Sequence, residues 1–341
     1  MTVDATDDGI ESLITKHPEI LMVQLVPILQ SDLTSTGFNK ILSLPSLSSF
    51  IMRNHKVLHY KFHSFKIVSK QLQILELTDR WLDTTIDDAW LLQILEQCGS
   101  TLKSLNLPCS IITGDLLIDY KGTLPCLENL NISYCTLLTG NGLLNILQFC
   151  GSTLKSLDIS GTNITGEEDI YRYERTLPCL ENLNISYCEL LTDNGLLNIL
   201  QLCRSTLKSL DISITNITGE EDIYKYEGTL PCLENLNISY CKLLTDNGLL
   251  NILQFCGSTL KSLDISNTDI TGENIYEYEG TLPCLENLKL KWCFNLSGCG
   301  LYQILRLCGS TLISLHISET DSLNVCIETL MYEFSHIRIS Y

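Results

Sequence analysis

The chain is 341 residues long, 45% apolar, and carries a formal net charge of −18 at pH 7. That acidity, with no Lys/Arg cluster along the sequence, argues against nucleic acid or an anionic membrane surface as the main partner. The longest apolar run, ILMVQLVPIL from Ile20, is too short to span a bilayer. The acidic start MTVDATDDGIESL lacks the basic residues and apolar stretch of a secretory signal, which places the protein inside the cell, in cytoplasm or nucleus.

Residues 1–20 carry no repeat pattern and are expected to form a terminal helix or a loose cap. Diverged repeats can be traced from there: LTSTGFNKIL at 33–42 has the pattern of LTDNGLLNIL at 191–200, and LPSLSSFIM at 44–52 that of LPCLENLNI at 124–132, with Pro27 tolerable at the edge of the array. A clearer turn starts with LQILEL at Leu72 and returns at Leu102, Leu127, Leu154, Leu180, Leu207, Leu233, Leu260, Leu285 and Leu312, ten turns in all, with an eleventh at Leu47. LPCLEN begins at Leu124, Leu177, Leu230 and Leu282, in steps of 53, 53 and 52 residues, so alternate turns form a double unit. The expected layout is an N-terminal cap with a diverged repeat over 1–43, an array over 44–318, and a C-terminal cap over 319–341, where SLNVCIETLMYEFSHIRISY breaks the consensus.

Within a turn, LxxLxLxx reads as a short strand. Leu127, Leu130 and Ile132 should point inward and Asn129, Asn131 and Ser133 outward, as a period of two requires. After it, LLTDNGLLNILQLC places Leu196, Leu197, Ile199, Leu200 and Cys203 on a helix packed against the strand layer, capped by Thr192 or Asp193. In the alternate turn, Thr218 and Glu221 have capping-box spacing and predict a shorter helical turn. No turn can bury its leucines alone, so the chain must stack. The predicted fold is α/β: a leucine-rich repeat solenoid, a curved horseshoe with a parallel β-sheet on the concave face and helices on the convex face.

The second residue of each strand motif alternates as Lys103, Glu128, Lys155, Glu181, Lys208, Glu234, Lys261 and Glu286, which predicts a structural ladder of opposite charges. Sixteen cysteines fall mainly into three columns: Cys98, Cys150, Cys203, Cys256 and Cys308; Cys126, Cys179, Cys232 and Cys284; Cys135, Cys188, Cys241 and Cys293. Column-mates two turns apart lie roughly 10 Å from each other, beyond disulfide reach, so all three columns are expected to be reduced and buried. Glu167, Glu168 and Asp169 recur as Glu220, Glu221 and Asp222, an acidic stripe that serves either as a solvated outer face or as a docking strip for a basic partner.

TDNGLLNILQLC, then STLKSLDIS, then LPCLENLNISYC, resemble the cysteine-containing leucine-rich repeats of F-box/LRR proteins over roughly residues 70–320. The resemblance implies a solenoid that recognises substrates for an SCF-type ubiquitin ligase, with an F-box joining the SCF adaptor, and so a role in ubiquitin-dependent protein degradation. HPEILMVQLVPIL, from His17, has a faint likeness to an F-box start, but the residues after it resemble diverged repeats, so an F-box is absent, degenerate or outside this chain. The contrasting reading is a stand-alone scaffold or sensor without a ligase link.

Such arrays use the concave face for recognition, which leads to a protein partner there and a monomeric chain. In the central turns that face is monotonous, with Asp158, Asp211 and Asp264 among Asn and Ser. Diversity returns at Lys289, Lys291, Trp292 and His316, where two lysines beside a tryptophan suit a partner site. Tyr134, Tyr187, Tyr240 and Trp292 form a column at the strand exits, either covering the loop beneath or offering an apolar ridge.

Tyr171/Tyr173, Tyr224/Tyr226 and Tyr276/Tyr278 have acidic surroundings that could suit a kinase, but amphipathic packing accounts for them. Asn131 and Asn163 sit in glycosylation sequons by coincidence of strand composition. His55, His59 and His63 are spaced by four without supporting carboxylates. The sequence offers no metal-ligand cluster, phosphate loop or acid/base couple, so neither a cofactor nor catalysis is expected.

Overall fold

The computed structural model describes residues 6–25, 34–53, 65–78, 86–150, 152–167, 176–203, 205–220, 229–275, 280–309, 311–318 and 332–340. Outside them lie Pro27, the three spaced histidines His55, His59 and His63, Glu168 and Asp169, Glu221 and Asp222, the Tyr171, Tyr173, Tyr224, Tyr226, Tyr276 and Tyr278 positions, and much of the expected C-terminal cap. The chain divides into two compact units, Met1–Asn163 and Ile164–Tyr341.

In the first unit the order is α1 (Asp7–Lys16), β1 (Met22–Leu25), α2 (Ser35–Leu42), β2 (Ser49–Arg53), β3 (Ile74–Thr78), α3 (Asp88–Cys98), β4 (Ser104–Asn106), a 3-10 turn (Asp115–Asp119), β5 (Asn129–Asn131), α4 (Gly140–Cys150) and β6 (Ser156–Asp158). Each strand pairs in parallel with the next. The second unit runs β7 (Asn182–Asn184), α5 (Asp193–Cys203), β8 (Ser209–Asp211), β9 (Asn235–Asn237), α6 (Asp246–Cys256), β10 (Ser262–Asp264), β11 (Asn287–Lys289), α7 (Gly298–Cys308), β12 (Ser314–His316) and β13 (Arg338–Ser340). Its strands too are parallel neighbours in chain order. Helix-sized crossings between parallel neighbours, repeated at one period, are the α/β leucine-rich repeat solenoid arrangement.

The leucine pattern becomes the core as expected. In the first unit Leu127, Leu130 and Ile132 are at most 3% exposed, and in the second the helical Leu196, Leu197, Ile199, Leu200 and Cys203 are buried. Each such side chain contributes about 1.5–3 kcal/mol by leaving water, and only stacking of turns supplies the partner surface. Outward alternation fails at one position. Ser133, Ser160, Ser186, Ser213, Ser239 and Ser266 are buried rather than displayed. The strand lasts three residues because its last Asn or Asp accepts a hydrogen bond from the N–H two residues on, as Asn131 does from Ser133 at 2.8 Å and Asp158 from Ser160 at 3.0 Å. That Asx turn ends the strand and rolls the serine under the loop.

Helix starts divide their labour. Thr192 caps α5 by accepting from Gly195 N–H at 3.0 Å, and Thr245 caps α6 in the same way at 2.9 Å. Asp193 does not cap its own helix: it reaches the following turn, accepting from Thr218 N–H (3.0 Å), Thr218 Oγ1 (2.6 Å) and Gly219 N–H (3.1 Å). Thr218 Oγ1 in turn accepts from Glu220 N–H at 3.1 Å, while Glu221, the other half of the expected capping box, lies outside the described residues. Asp88 and Asp246 make the same clamp on Thr113–Gly114 and Thr271–Gly272. Close backbone approach accompanies it: a Cβ on Gly195 would overlap the Thr165 carbonyl, so only glycine fits there.

The cysteine columns separate by environment. Cys98, Cys150, Cys203, Cys256 and Cys308, and Cys135, Cys188, Cys241 and Cys293, are buried free thiols. Burial pushes the Cys98, Cys150, Cys203, Cys256 and Cys308 thiols up to about 12. The second column departs from expectation: Cys179, Cys232 and Cys284 are exposed and Cys126 is half-buried. They occupy a tight turn between two inward leucines, such as Leu177 and Leu180, and the turn directs the intervening residues outward.

Candidate partner-binding surface

The sheet face is set directly by strand register. In the second unit the third strand residues line up as Asn184, Asp211, Asn237, Asp264, Lys289, His316 and Ser340. In the first unit the row runs Glu76, Asn106, Asn131 and Asp158. The three aspartates have local partners. Asp158 and Asp211 each hold a serine, Ser160 and Ser213, through both its N–H and its hydroxyl. Asp211 also accepts from Asn237 Nδ2 at 2.9 Å, and Asp264 from Ser266 N–H at 3.1 Å.

Toward the C-terminal end the row changes chemistry. Lys289 Nζ lies 3.1 Å from Asp264 Oδ2, and Ser340 Oγ lies 2.6 Å from His316 Nδ1. The Lys289–Asp264 pair is open to solvent on the lysine side, so its attraction is screened and the ammonium stays available to a partner. Lys291 takes the place that serine holds in other turns. It is half-buried, with its N–H donating to Ser266 Oγ at 3.2 Å. Trp292 comes next, on the exit loop. Lys289, Lys291, Trp292 and His316 thus lie on adjacent turns, Lys289 and His316 on the sheet face and Trp292 at its edge.

Just beyond the strands, the aromatic column has an unusual backbone. Tyr134, Tyr187, Tyr240 and Trp292 have φ of 57°, 60°, 62° and 58°, in the left-handed region that side-chain-bearing residues rarely adopt. Hydrogen bonds to the next turn hold them there: in the second unit Tyr187 donates to Ser213 O at 2.9 Å, Tyr240 to Ser266 O at 2.8 Å, and Trp292 to Ser318 O at 3.1 Å. Gly161 occupies the matching position of its turn in the first unit, and the Tyr134 ring lies over it.

All four aromatic rings are exposed, and the exit loops add apolar residues that the sequence does not flag. Leu190 and Leu243 in the second unit, and Leu137 in the first, are more than half exposed, as is Phe294. Tyr240 and Trp292 lean together, ring centroids 6.3 Å apart at 62°, although two turns separate them. Between them Lys242 Nζ binds Asn267 Oδ1 at 2.9 Å and Asp269 Oδ1 at 3.3 Å. The Leu137, Leu190 and Leu243 signal is hidden because leucine at a repeating position reads as core.

The Lys/Glu ladder is present as short pairs: Lys155–Glu128 at 2.8 Å in the first unit, and Lys208–Glu181 and Lys261–Glu234, both at 3.0 Å, in the second. It flanks the sheet face.

Comparison with known proteins agrees with this architecture. The Leucine Rich repeat family matches residues 152–167, 176–200, 229–253 and 258–273. The F-box/LRR-repeat protein 4 of Bos taurus is 28% identical over 182 residues, covering 50% of this chain and 28% of that protein. The BTB/POZ domain-containing protein FBL11 of Arabidopsis thaliana is 26% identical over 180 residues, covering 42% of this chain and 19% of that protein. The matched regions thus span less than a third of either relative. Among solved structures, the crystal structure of the Rad7 and Elc1 complex in yeast has a chain similar in fold, with TM-score 0.56 and 21% identity over 93% of this chain and 74% of that one. The repeats, the parallel sheets and these likenesses make the chain a leucine-rich repeat protein of the α/β solenoid fold, with repeats similar to those of F-box/LRR proteins.

Proposed function

We propose that the chain is a protein-recognition subunit linked to an SCF-type ubiquitin ligase, capturing its partner on the sheet face near Lys289, Lys291, Trp292 and His316. One observation carries the reading: the row that alternates Asn and Asp from Asn184 to Asp264 changes to Lys289 and His316 on the turns where Trp292 replaces tyrosine. A repeating polar face is solvated alike along its length, whereas a cationic and aromatic break gives one place with its own chemistry. The ligase link draws its support from the likeness to an F-box/LRR-repeat protein. In this reading the chain acts as a monomer in the cytoplasm or nucleus, without cofactor or catalysis.

A stand-alone scaffold is favoured by a different observation. The stretch with faint F-box likeness contains β1, Met22–Leu25, which pairs in parallel with β2 as another turn of the stack. Affinity purification followed by mass spectrometry separates the two. Recovery of the SCF adaptor and a cullin supports the ligase link, and their absence at saturating bait removes it. Loss of all captured protein in Lys289→Glu/Trp292→Ala, with folding intact, is expected for the face reading; unaltered capture overturns it.

A further inference from the structure

We propose that the strand-exit edge of the second unit docks a basic amphipathic segment of another protein, one that sets apolar anchors among Lys or Arg side chains. The proposal rests on the recognition-module reading and adds which edge is used and by what chemistry.

Two observations converge. Tyr187, Leu190, Tyr240, Leu243, Trp292 and Phe294 stand on three equivalent loops and are 36–60% exposed, in a unit whose inward strand leucines and isoleucines are almost wholly buried. Apolar side chains grouped in this way at one edge mark an interaction surface, where scattered ones would not. Ile214 and Asn267 hold the same left-handed φ at this position of the alternate turns, so the turn sets the backbone, and what sets Tyr187, Tyr240 and Trp292 apart is the large exposed ring that each carries there.

Charge selects the occupant. Glu189 adjoins Leu190, Glu220 Oε1 accepts from Thr245 beside the same ridge at 2.7 Å, and Asp269 sits next to Lys242, whose charge it offsets at 3.3 Å. With Asp269 offset by Lys242, Glu189 and Glu220 leave the Tyr187–Leu243 part of the rim anionic on a chain of net charge −18, whereas Lys291 makes the Trp292 end cationic, so the basic side chains are drawn to the Tyr187–Leu243 part. Anionic lipid and a second copy of this chain are both repelled by that field, whereas Lys and Arg are attracted to it and stack favourably on Tyr and Trp faces.

The test uses the full chain and three fluorescent synthetic peptides of matched length: amphipathic leucine/lysine, amphipathic leucine/glutamate, and serine/lysine. Anisotropy titration is expected to show the leucine/lysine peptide binding at least ~10-fold more tightly than either other. The variant Tyr187→Ser/Leu190→Ser/Tyr240→Ser/Leu243→Ser keeps every charge and should lose that preference. Tyr187→Gly/Tyr240→Gly relieves the backbone, so it should melt no lower than the parent and still bind at least ~10-fold more weakly. Equal binding of leucine/lysine and serine/lysine peptides, a preference for leucine/glutamate, or unchanged affinity in the glycine variant overturns the proposal. So does a dimer in sedimentation that the serine variant dissolves, which would make a second copy the occupant. Failure to recover adaptor and cullin leaves these outcomes untouched, because the peptides interrogate the edge alone.

Discussion

Asp193 and Thr218 join one turn to the next: the Asp193 carboxylate, buried at the first residue of α5, accepts the Thr218 N–H at 3.0 Å and its hydroxyl at 2.6 Å. The helix supplies the acceptor and the following loop the donors, so α5 is anchored to the next turn through its N-terminus. Asp193→Ala strands three donor groups in a buried setting and should cost about 2–3 kcal/mol in urea unfolding. Faster amide exchange is expected first at Thr218 and Gly219. The loss should stay local, because Gly140 in α4 and Gly298 in α7 already stand at this position without a carboxylate.

Gly195→Ala tests the contact beside that clamp. Its Cβ would overlap Thr165 O, a backbone atom that can move only if the loop moves. A destabilisation of about 1–3 kcal/mol is expected despite the higher helix propensity of alanine. A neutral or raised melting temperature would show that the two turns can separate freely.

The ladder has a pH signature at Glu128. The hydrogen bond from Lys155, and after it the charge of its ammonium, holds the Glu128 carboxyl below its ordinary 4.5, against a smaller desolvation effect. A depressed carboxylate contributes its stability above the unfolded value and loses it as pH falls through the folded one, so the window lies below 4.5. Carbon-detected titration of Glu128 should show the lowered value, and Lys155→Met should return it upward. Replacing Lys208 by Glu in the second unit should lower the melting temperature slightly and spare partner capture, since an exposed pair contributes about 0.2–1 kcal/mol.

Cysteine chemistry should track burial and not column membership. With thiols pushed up to about 12, Cys98, Cys150, Cys203, Cys256 and Cys308 carry little thiolate near neutral pH. Brief alkylation in native buffer should therefore label Cys179, Cys232, Cys284 and Cys299 first, as read by peptide mass spectrometry. Equal labelling of the buried set would mean that the turns open.

The 53-residue period, with the inward Leu130 and Ile132 of each strand motif two residues apart, determines strands, helices and stacking by itself. Each is a local periodicity that only one backbone conformation can satisfy. The candidate surface is legible only in part: the Lys289–Trp292 break and the aromatic column can be read from the sequence, but their hydrogen bonds and exposure cannot. Leu190 and Leu196 look alike in sequence, yet Leu190 is 54% exposed and Leu196 only 2%. Their fates diverge because loop direction, set by the Asx turn and the left-handed residue before it, points one side chain out and the helix turns the other in. Asp193 likewise reads as a cap for its own helix, and only the position of the neighbouring turn makes it a clamp on Thr218. Repetition determines what each turn is; contact between turns decides which of its side chains remain available to a partner.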